Sequence, residues 1–389
     1  MDLNYMQRRT WAEIDIDALE YNYKTLRKIT PQTAKICCII KADAYGHGAV
    51  PVGKLYEKLG ADFLAVSNIE EAMTVRKAGI KLPLLILGYT HPSCAEILAE
   101  NDISQCVYSY EYGKALEEKA KEYNVRLAIH LKLDVGMGRI GFVIDNSNIF
   151  SEALEICKSP MFRTEGIFTH FPMADEGEKG EQVTLEQYKR FCSFVNAFEN
   201  EGISFEIKHC NNSAATIKFP QISLDMVRVG VSLYGIAPLE KRDELSLKNT
   251  LSLKTVISHI KTLKKGDTVG YGSEYVADKE TVIATLPIGY ADGFKRENSF
   301  NGTRVWVNGH LCPITGRICM DQTMIDITGI TASVDDEVII YGGDSSVSLD
   351  DFSINNRKIP YETMCEISAR VPRAYCKNGK ISFVRDSLV

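Results

Sequence analysis

Within eight positions the segment Lys41-Ala-Asp-Ala-Tyr45-Gly-His47-Gly48 carries an amine, a carboxyl, a phenol and an imidazole, directly after the apolar run 36–40. Other apolar runs end the same way. Leu131-Lys132-Leu-Asp134 leads through Val-Gly-Met-Gly to Arg139, and Phe168-Thr leads to His170. Lys208-His-Cys-Asn-Asn212 leads to Ser213, and Met226-Val-Arg228 leads to Gly230-Val231. Taken singly, each has an ordinary explanation. A lysine at a strand end snorkels to water, a lone histidine is usually a satisfied half-buried one, and glycines after Lys132 turn a loop. Cationic or imidazole groups at five of eight such ends argue for one shared pocket. Lysines and arginines repel cations, so the expected guest is an anion, and no metal site is expected.

The elements that must place these groups follow from hydrophobic rhythm. Short β-branched runs at 36–40, 62–66, 83–87, 104–108, 126–133, 165–169, 204–209 and 225–229 alternate with stretches of helical period that include 17–29, 50–59, 111–123 and 184–200. Eight such units predict an α/β fold whose N-terminal part is a closed (β/α)8 TIM barrel, the alternative being an open doubly wound sheet, which needs fewer strands. The polar groups then lie on the barrel's C-terminal rim, where barrel enzymes hold their chemistry. From 244 onward the period changes to two, with strands expected at 256–264, 281–286, 303–307, 311–314 and 337–341 and a type I′ turn at Asn308-Gly309. This gives two domains: a barrel over 1–243 and a mostly antiparallel β-domain over 244–389, joined by the charged connection Leu239-Glu-Lys-Arg-Asp-Glu244.

The barrel also narrows the guest. No G-x-x-x-x-G-K-[ST] segment and no G-x-G-x-x-G after a strand is present, so nucleotide loops are not expected. Asn212-Ser213 and Gly230-Val231 follow strands seven and eight, where barrels bind phosphate through backbone N–H groups. A phosphate together with a lysine on the same rim points to pyridoxal 5'-phosphate (PLP) held as a Schiff base.

Composition excludes other classes. The 389 residues are 45% hydrophobic and 25% charged, a globular balance with no room for a disordered or coiled-coil reading. The net charge of −6 lacks the basic excess that nucleic acid binding needs. The N-terminal residues have no apolar h-region and no run is long enough to span a bilayer, so a cytoplasmic protein without membrane partners is expected. The 11 cysteines form no C-x-x-C pair with zinc spacing, and Cys37, Cys38 and Cys106 read as buried hydrophobes.

Along essentially its whole length the chain resembles alanine racemase, the barrel-type (fold type III) PLP-dependent amino acid racemase family. Lys41-Ala-Asp-Ala-Tyr-Gly-His-Gly is similar to the family's PLP-lysine motif, Gly166-Ile-Phe-Thr-His-Phe to its ring-stacking segment, and Val227-Arg-Val-Gly-Val-Ser-Leu-Tyr-Gly to its phosphate and pyridine segment. Val269-Gly-Tyr271-Gly, Pro287-Ile-Gly-Tyr290-Ala-Asp-Gly, Gly316-Arg-Ile-Cys-Met-Asp-Gln, Tyr361-Glu362 and Arg370-Val-Pro-Arg373 resemble its β-domain motifs. The resemblance implies interconversion of L- and D-alanine, supplying D-alanine for peptidoglycan. It implies Lys41 and Tyr271 as the two bases, with Tyr271 donated by the partner in a homodimer.

Tyr45, Ser213, Gly230, Val231 and Tyr361 match phosphate contacts, His170 the residue beside the ring, and Arg228 the partner of the pyridine nitrogen. Arg139 matches the contact to the phenolic oxygen and the substrate carboxylate, aided by the Met320 backbone from the partner. Tyr290 matches the entryway, and Lys132 a lysine that is carbamylated in some members. The chain departs from the family pattern at Val135, Pro172-Met173, Gly270 and Lys358-Ile-Pro360, none of them a catalytic group.

The chemistry explains the residue types. Racemisation removes a proton from one face and returns one to the other, which two bases on opposite faces can do. A guanidinium has only donors, so a pyridine nitrogen facing Arg228 must stay unprotonated, which weakens the electron sink. The alternatives are a serine or broad-specificity racemase, a barrel-type PLP decarboxylase, and a non-catalytic PLP carrier. The last lacks a β-domain and hence a counterpart of Tyr271.

Overall fold

The computed structural model describes residues 9–143, 147–238, 245–343 and 346–387. The charged connection at 239–244, and with it the expected domain border, lies outside them. Two compact units are present, one comprising Glu20–Ala44 and Gly48–Leu247, the other Met1–Leu19, Tyr45–His47 and Lys248–Val389.

The first strand, β1 (Thr10–Asp15), belongs to the second unit. In the first unit β2 (Lys35–Ile39), β3 (Phe63–Val66), β4 (Leu84–Ile86), β5 (Ile103–Val107), β6 (Leu127–Asp134), β7 (Phe162–Phe168), β8 (Ile207–His209) and β9 (Met226–Val229) pair in the order β9-β2-β3-β4-β5-β6-β7-β8, every ladder parallel. All eight predicted runs are therefore strands. Burial is complete in β3, β4, β5 and β9, as a parallel sheet covered on both faces requires. The barrel is nearly closed. β8 and β9 share no ladder, but Asp225 N–H donates to Lys208 O at 3.0 Å and Arg228 N–H to Asn211 O at 2.9 Å, and the Asp225 carboxylate accepts Lys208 N–H at 2.8 Å.

The helices around it start where the sequence supplies caps. Asn68 Oδ1 accepts Glu71 N–H ahead of Ile69–Lys77, and Ser109 Oγ accepts Tyr112 N–H ahead of Tyr110–Glu122. The helix expected over 184–200 begins earlier, at Gly177, because its Gly-rich first turn reads as a loop.

In the second unit β10 (Leu251–Val256), β13 (Arg304–Val307), β14 (His310–Pro313), β16 (Glu337–Tyr341), β17 (Arg373–Lys377) and β18 (Lys380–Arg385) join β1 in a seven-stranded sheet of order β14-β13-β16-β10-β1-β17-β18. All its pairings are antiparallel except β1 with β17. A separate three-stranded sheet holds β11 (His259–Leu263), β12 (Thr281–Leu286) and β15 (Thr323–Asp326). The single strand expected over 256–264 is two strands. Ile257 N–H bonds to Asp336 O and Ser258 N–H to Thr285 O, so the chain passes from one sheet to the other there. The predicted hairpin turn is present, with Asn308 at φ 44° and Gly309 at φ 89° between paired Val307 and His310.

Candidate active site

Lys41 leaves the end of β2 into an unusual backbone. Ala42, Asp43, Ala44 and Tyr45 have φ of 52°, 51°, 55° and 52°, one turn of left-handed helix built from residues with side chains. Each such residue costs about 1–2 kcal/mol, so the surroundings must hold the turn. Glu71 Oε1 accepts Ala42 N–H at 2.7 Å while its Oε2 accepts Ser67 N–H at 2.8 Å. Asp43 Oδ1 accepts Ala49 N–H at 2.8 Å, and Asp43 O accepts Gly48 N–H at 2.7 Å. Tyr234 Oη donates to Ile39 O at 3.0 Å, tying down the strand end just before the lysine. The turn fixes the direction in which Lys41 departs. Asp43 and Tyr234 stand in segments quoted from the sequence, though not as braces, and Glu71 was not singled out.

Arg228, on β9, is buried, and loss of hydration lowers its pKa to about 10. Nη2 donates to Thr169 O at 2.7 Å and Cys210 O at 3.1 Å, with His170 Nδ1 at 3.4 Å, and Nη1 meets His209 Nδ1 at 3.0 Å. Among the described residues it has no carboxylate partner. The Phe168 ring lies between cations, with Arg228 Cζ 5.2 Å and Lys132 Nζ 5.4 Å from its centroid. The His170 imidazole is held neutral, its pKa well below the usual histidine range. Loss of hydration comes first among the causes, then the charges of Arg228, Arg139, Lys132 and Lys41. The structure therefore brings together four predicted cations and the predicted histidine. His209 was read as a strand-end residue but not as part of the site.

Lys132 is buried, donates from Nζ to Leu133 O at 2.8 Å, and has its pKa lowered to about 8, chiefly by desolvation. Asp134 shapes the turn to Arg139. Its Oδ1 accepts Gly136 and Met137 N–H at 2.8 Å each, and its Oδ2 accepts Arg139 N–H at 3.2 Å. Across the barrel seam Ser213 Oγ accepts Gly230 N–H at 2.8 Å and Ser232 N–H at 3.5 Å, leaving the Ser213 hydroxyl proton for an incoming anion. Asn212 caps the short helix Ser213–Lys218 by accepting Ala215 N–H at 3.0 Å and donates to Phe171 O at 2.9 Å. Clustered cations, a donor-only guanidinium without a carboxylate, and backbone N–H groups beside a serine hydroxyl fit a ligand carrying a phosphate and an acceptor ring nitrogen. PLP has both.

The remaining predicted residues lie in the second unit. Tyr45 is held there with residues 46 and 47. A Cβ on Gly46 would stand 2.3 Å from Met364 O in the helix Pro360–Cys365 that carries Tyr361, and Arg373 Nε donates to Gly46 O at 3.0 Å. Tyr290 and Met320 are neighbours, because Tyr290 N–H donates to Cys319 O at 3.1 Å and Ala291 N–H to Met320 O at 3.0 Å. Tyr271 opens a short turn between Gly270 and Gly272, beside the Arg317–Glu274 ion pair. Tyr271 is 71% exposed, Met320 54% and Tyr290 41%, which is high for groups of their size.

Models of the alanine racemase N-terminal and C-terminal domains match residues 14–238 and 250–375. Alanine racemase 1 of Clostridium acetobutylicum is 42% identical over 384 residues, covering 97% of this chain and 98% of that relative. The alanine racemase of Clostridium tetani is 41% identical over 384 residues, with the same two coverages of 97% and 98%. Among solved structures, the alanine racemase of Clostridium difficile 630 superposes with a TM-score of 0.92 at 39% identity, covering 100% of both chains. That of Bacillus anthracis, with bound L-Ala-P, gives 0.91 at 35% identity, covering 100% of this chain and 99% of the other. Family models over most of the chain, and full-length relatives well above 30% identity, agree with the strand-end cluster: the chain belongs to the alanine racemase family.

Proposed function

We propose that this chain interconverts L- and D-alanine by a PLP-dependent, two-base mechanism. The observation that carries this reading is Arg228, a buried donor-only group without a carboxylate partner among the described residues, set in a cluster of four cations in a chain of this family. Lys41 would hold PLP covalently. Tyr45, Ser213, Gly230, Val231 and Tyr361 would bind its phosphate, Arg228 would face its ring nitrogen, and His170 would lie beside the ring. When bound, PLP supplies an electron sink that makes the α-proton of an amino acid acidic.

The chain's own groups do the rest. Arg139 would fix the substrate carboxylate, with the backbone N–H of the partner subunit's Met320. Lys41 would move a proton on one face of the α-carbon and the partner subunit's Tyr271 on the other, which calls for a homodimer. The exposure of Tyr271, Tyr290 and Met320 supports an interface on that face, Tyr290 lining the entry. The lowered pKa of Lys132 supports its carbamylation, since only the neutral amine reacts with CO2. No helix among the described residues is long and apolar enough to cross a membrane, and a cytoplasmic site of action with D-alanine directed to peptidoglycan fits this reading.

The test is formation of D-alanine from L-alanine by purified protein, run beside L-serine. D-alanine that disappears in Lys41→Ala, together with the bound-PLP absorption band, is expected. PLP-loaded protein that makes no D-alanine refutes the reading, faster D-serine formation replaces alanine by serine as substrate, and release of CO2 revives the decarboxylase alternative.

A further inference from the structure

Behind Arg228 a line of buried polar side chains runs into the barrel. Arg228 Nη1 lies 3.0 Å from His209 Nδ1, His209 Nε2 lies 2.8 Å from His130 Nδ1, and His130 Nε2 lies 3.0 Å from Glu165 Oε2. The line ends on a well-satisfied carboxylate. Glu165 also accepts from the Ser104 hydroxyl, and from Arg163 Nη2 at 2.8 Å. His130 and His209 are fully buried, and Glu165 and Arg228 nearly so.

Hydrogen-bond chemistry leaves one direction for this line. A guanidinium only donates, so His209 Nδ1 must be bare and its proton must sit on Nε2. His130 then receives on Nδ1 and carries its proton on Nε2, which donates to the Glu165 carboxylate. Both rings are neutral and both have the same tautomer. Burial disfavours the protonated form of each, and the hydrogen bonds that Glu165 accepts hold its carboxyl ionised, its pKa down at about 2.

The backbone is built to make this line. Between β6 and β7 the register slips, Ile129 facing Thr164 while His130 faces Gly166, so Glu165 is the extra residue of a bulge. Bulges re-aim side chains, and in a parallel pair they are uncommon. Gly166 provides the space for the ring, since a Cβ there would stand 2.3 Å from His130 Nδ1. Phe168 stacks on His209 at 4.8 Å and 10°.

We propose that Glu165 and His130 are positioning residues of the racemase: through His209 they fix the tautomer and orientation that present Arg228 to the ring nitrogen of PLP. The inference rests on the function proposed above, in that Arg228 faces that nitrogen. Neither residue is among those that would contact substrate or cofactor, since both bond to buried protein groups behind Arg228. An anionic end makes each acceptor along a hydrogen-bonded line stronger, so the charge on Glu165 is felt at Arg228 two imidazoles away.

The test reads tautomers first and turnover second. Long-range proton–nitrogen spectra of 15N-histidine-labelled protein, with and without PLP, should show two rings protonated only at Nε2. A doubly protonated ring, or a proton on His209 Nδ1, overturns the proposal whether or not the protein racemises alanine. Glu165→Gln should shift the His209 Nδ1 resonance and lower kcat for alanine about tenfold while KM changes less than about twofold, because no substrate contact is lost. An amide can accept on oxygen and donate on nitrogen, so His130→Gln should keep kcat within about threefold of wild type while His130→Phe loses about tenfold or more. If Glu165→Gln or His130→Phe does not fold, His130→Gln still decides, since a His209 proton moved to Nδ1 with kcat unchanged overturns the proposal. Unchanged kcat and unmoved His209 resonances in folded Glu165→Gln make the line a fold support and refute it.

Discussion

Ala42 is exposed, donates its N–H to Glu71, and stands at φ 52° in the left-handed turn after Lys41. In an ordinary helix interior, replacing alanine by glycine costs about 1 kcal/mol. Here glycine relieves about 1–2 kcal/mol of left-handed strain and adds about 0.4–1 kcal/mol of unfolded-chain entropy, so Ala42→Gly should be more stable by roughly 0.5–1 kcal/mol. No buried methyl is lost. For a unit of this size that is a rise in Tm of about 1–3 °C. Turnover should fall, because the strained turn sets the direction in which the Lys41 amine leaves the strand. Calorimetry of the PLP-free protein, paired with D-alanine formation by the loaded one, reads both effects. A Tm lowered by a few degrees, as at a right-handed site, would refute the argument, and so would a stabilised variant with full turnover.

If each site takes Lys41 from one subunit and Tyr271 from the other, Lys41→Ala and Tyr271→Phe are each inactive, yet random mixed dimers regain about a quarter of wild-type activity. A dead mixture containing verified heterodimers contradicts a shared site. Arg228→Glu would place a carboxylate where a donor now stands and should raise half-transamination relative to racemisation, so an unchanged ratio counts against the donor-only argument. The folded-state pKa of Lys132 lies below its unfolded value, so the unfolded chain binds more protons between about pH 8 and 10.5 and stability rises with pH across that window. Denaturant titrations in CO2-free buffer, where the amine is unmodified, should therefore show wild type gaining on Lys132→Met as the pH is raised from about 8 to 10, and a constant difference would mean that the lysine is not desolvated.

What the sequence reveals depends on whether a feature is local. The eight barrel strands are legible because each is a short apolar run between stretches of helical period, and Lys41, Arg139 and His170 because they follow such runs, with Arg228 inside the last of them. The turn from Ala42 to Tyr45 is not legible, since alanine and aspartate carry no signal for left-handed backbone, and its braces come from Glu71 and Ala49. Glu165 is hidden for a different reason. Period-two alternation puts it on the opposite face from Gly166, and only the bulge aims it at His130. The run 256–264 reads as one strand because a crossing between sheets at Ile257 and Ser258 leaves the alternation intact.

β1 has a consequence for the order of biosynthesis. It lies inside the seven-stranded sheet, between β10 and β17, yet Ala12 pairs with Leu253 on one side and Arg373 on the other. On the ribosome β1 is made well before either neighbour, and it stays unpaired in this sheet until β10 and then β17 have been synthesised. Completion of the sheet is thus a late event that couples segments far apart in the chain, and a nascent chain halted after the barrel strands holds β1 without either of its partners.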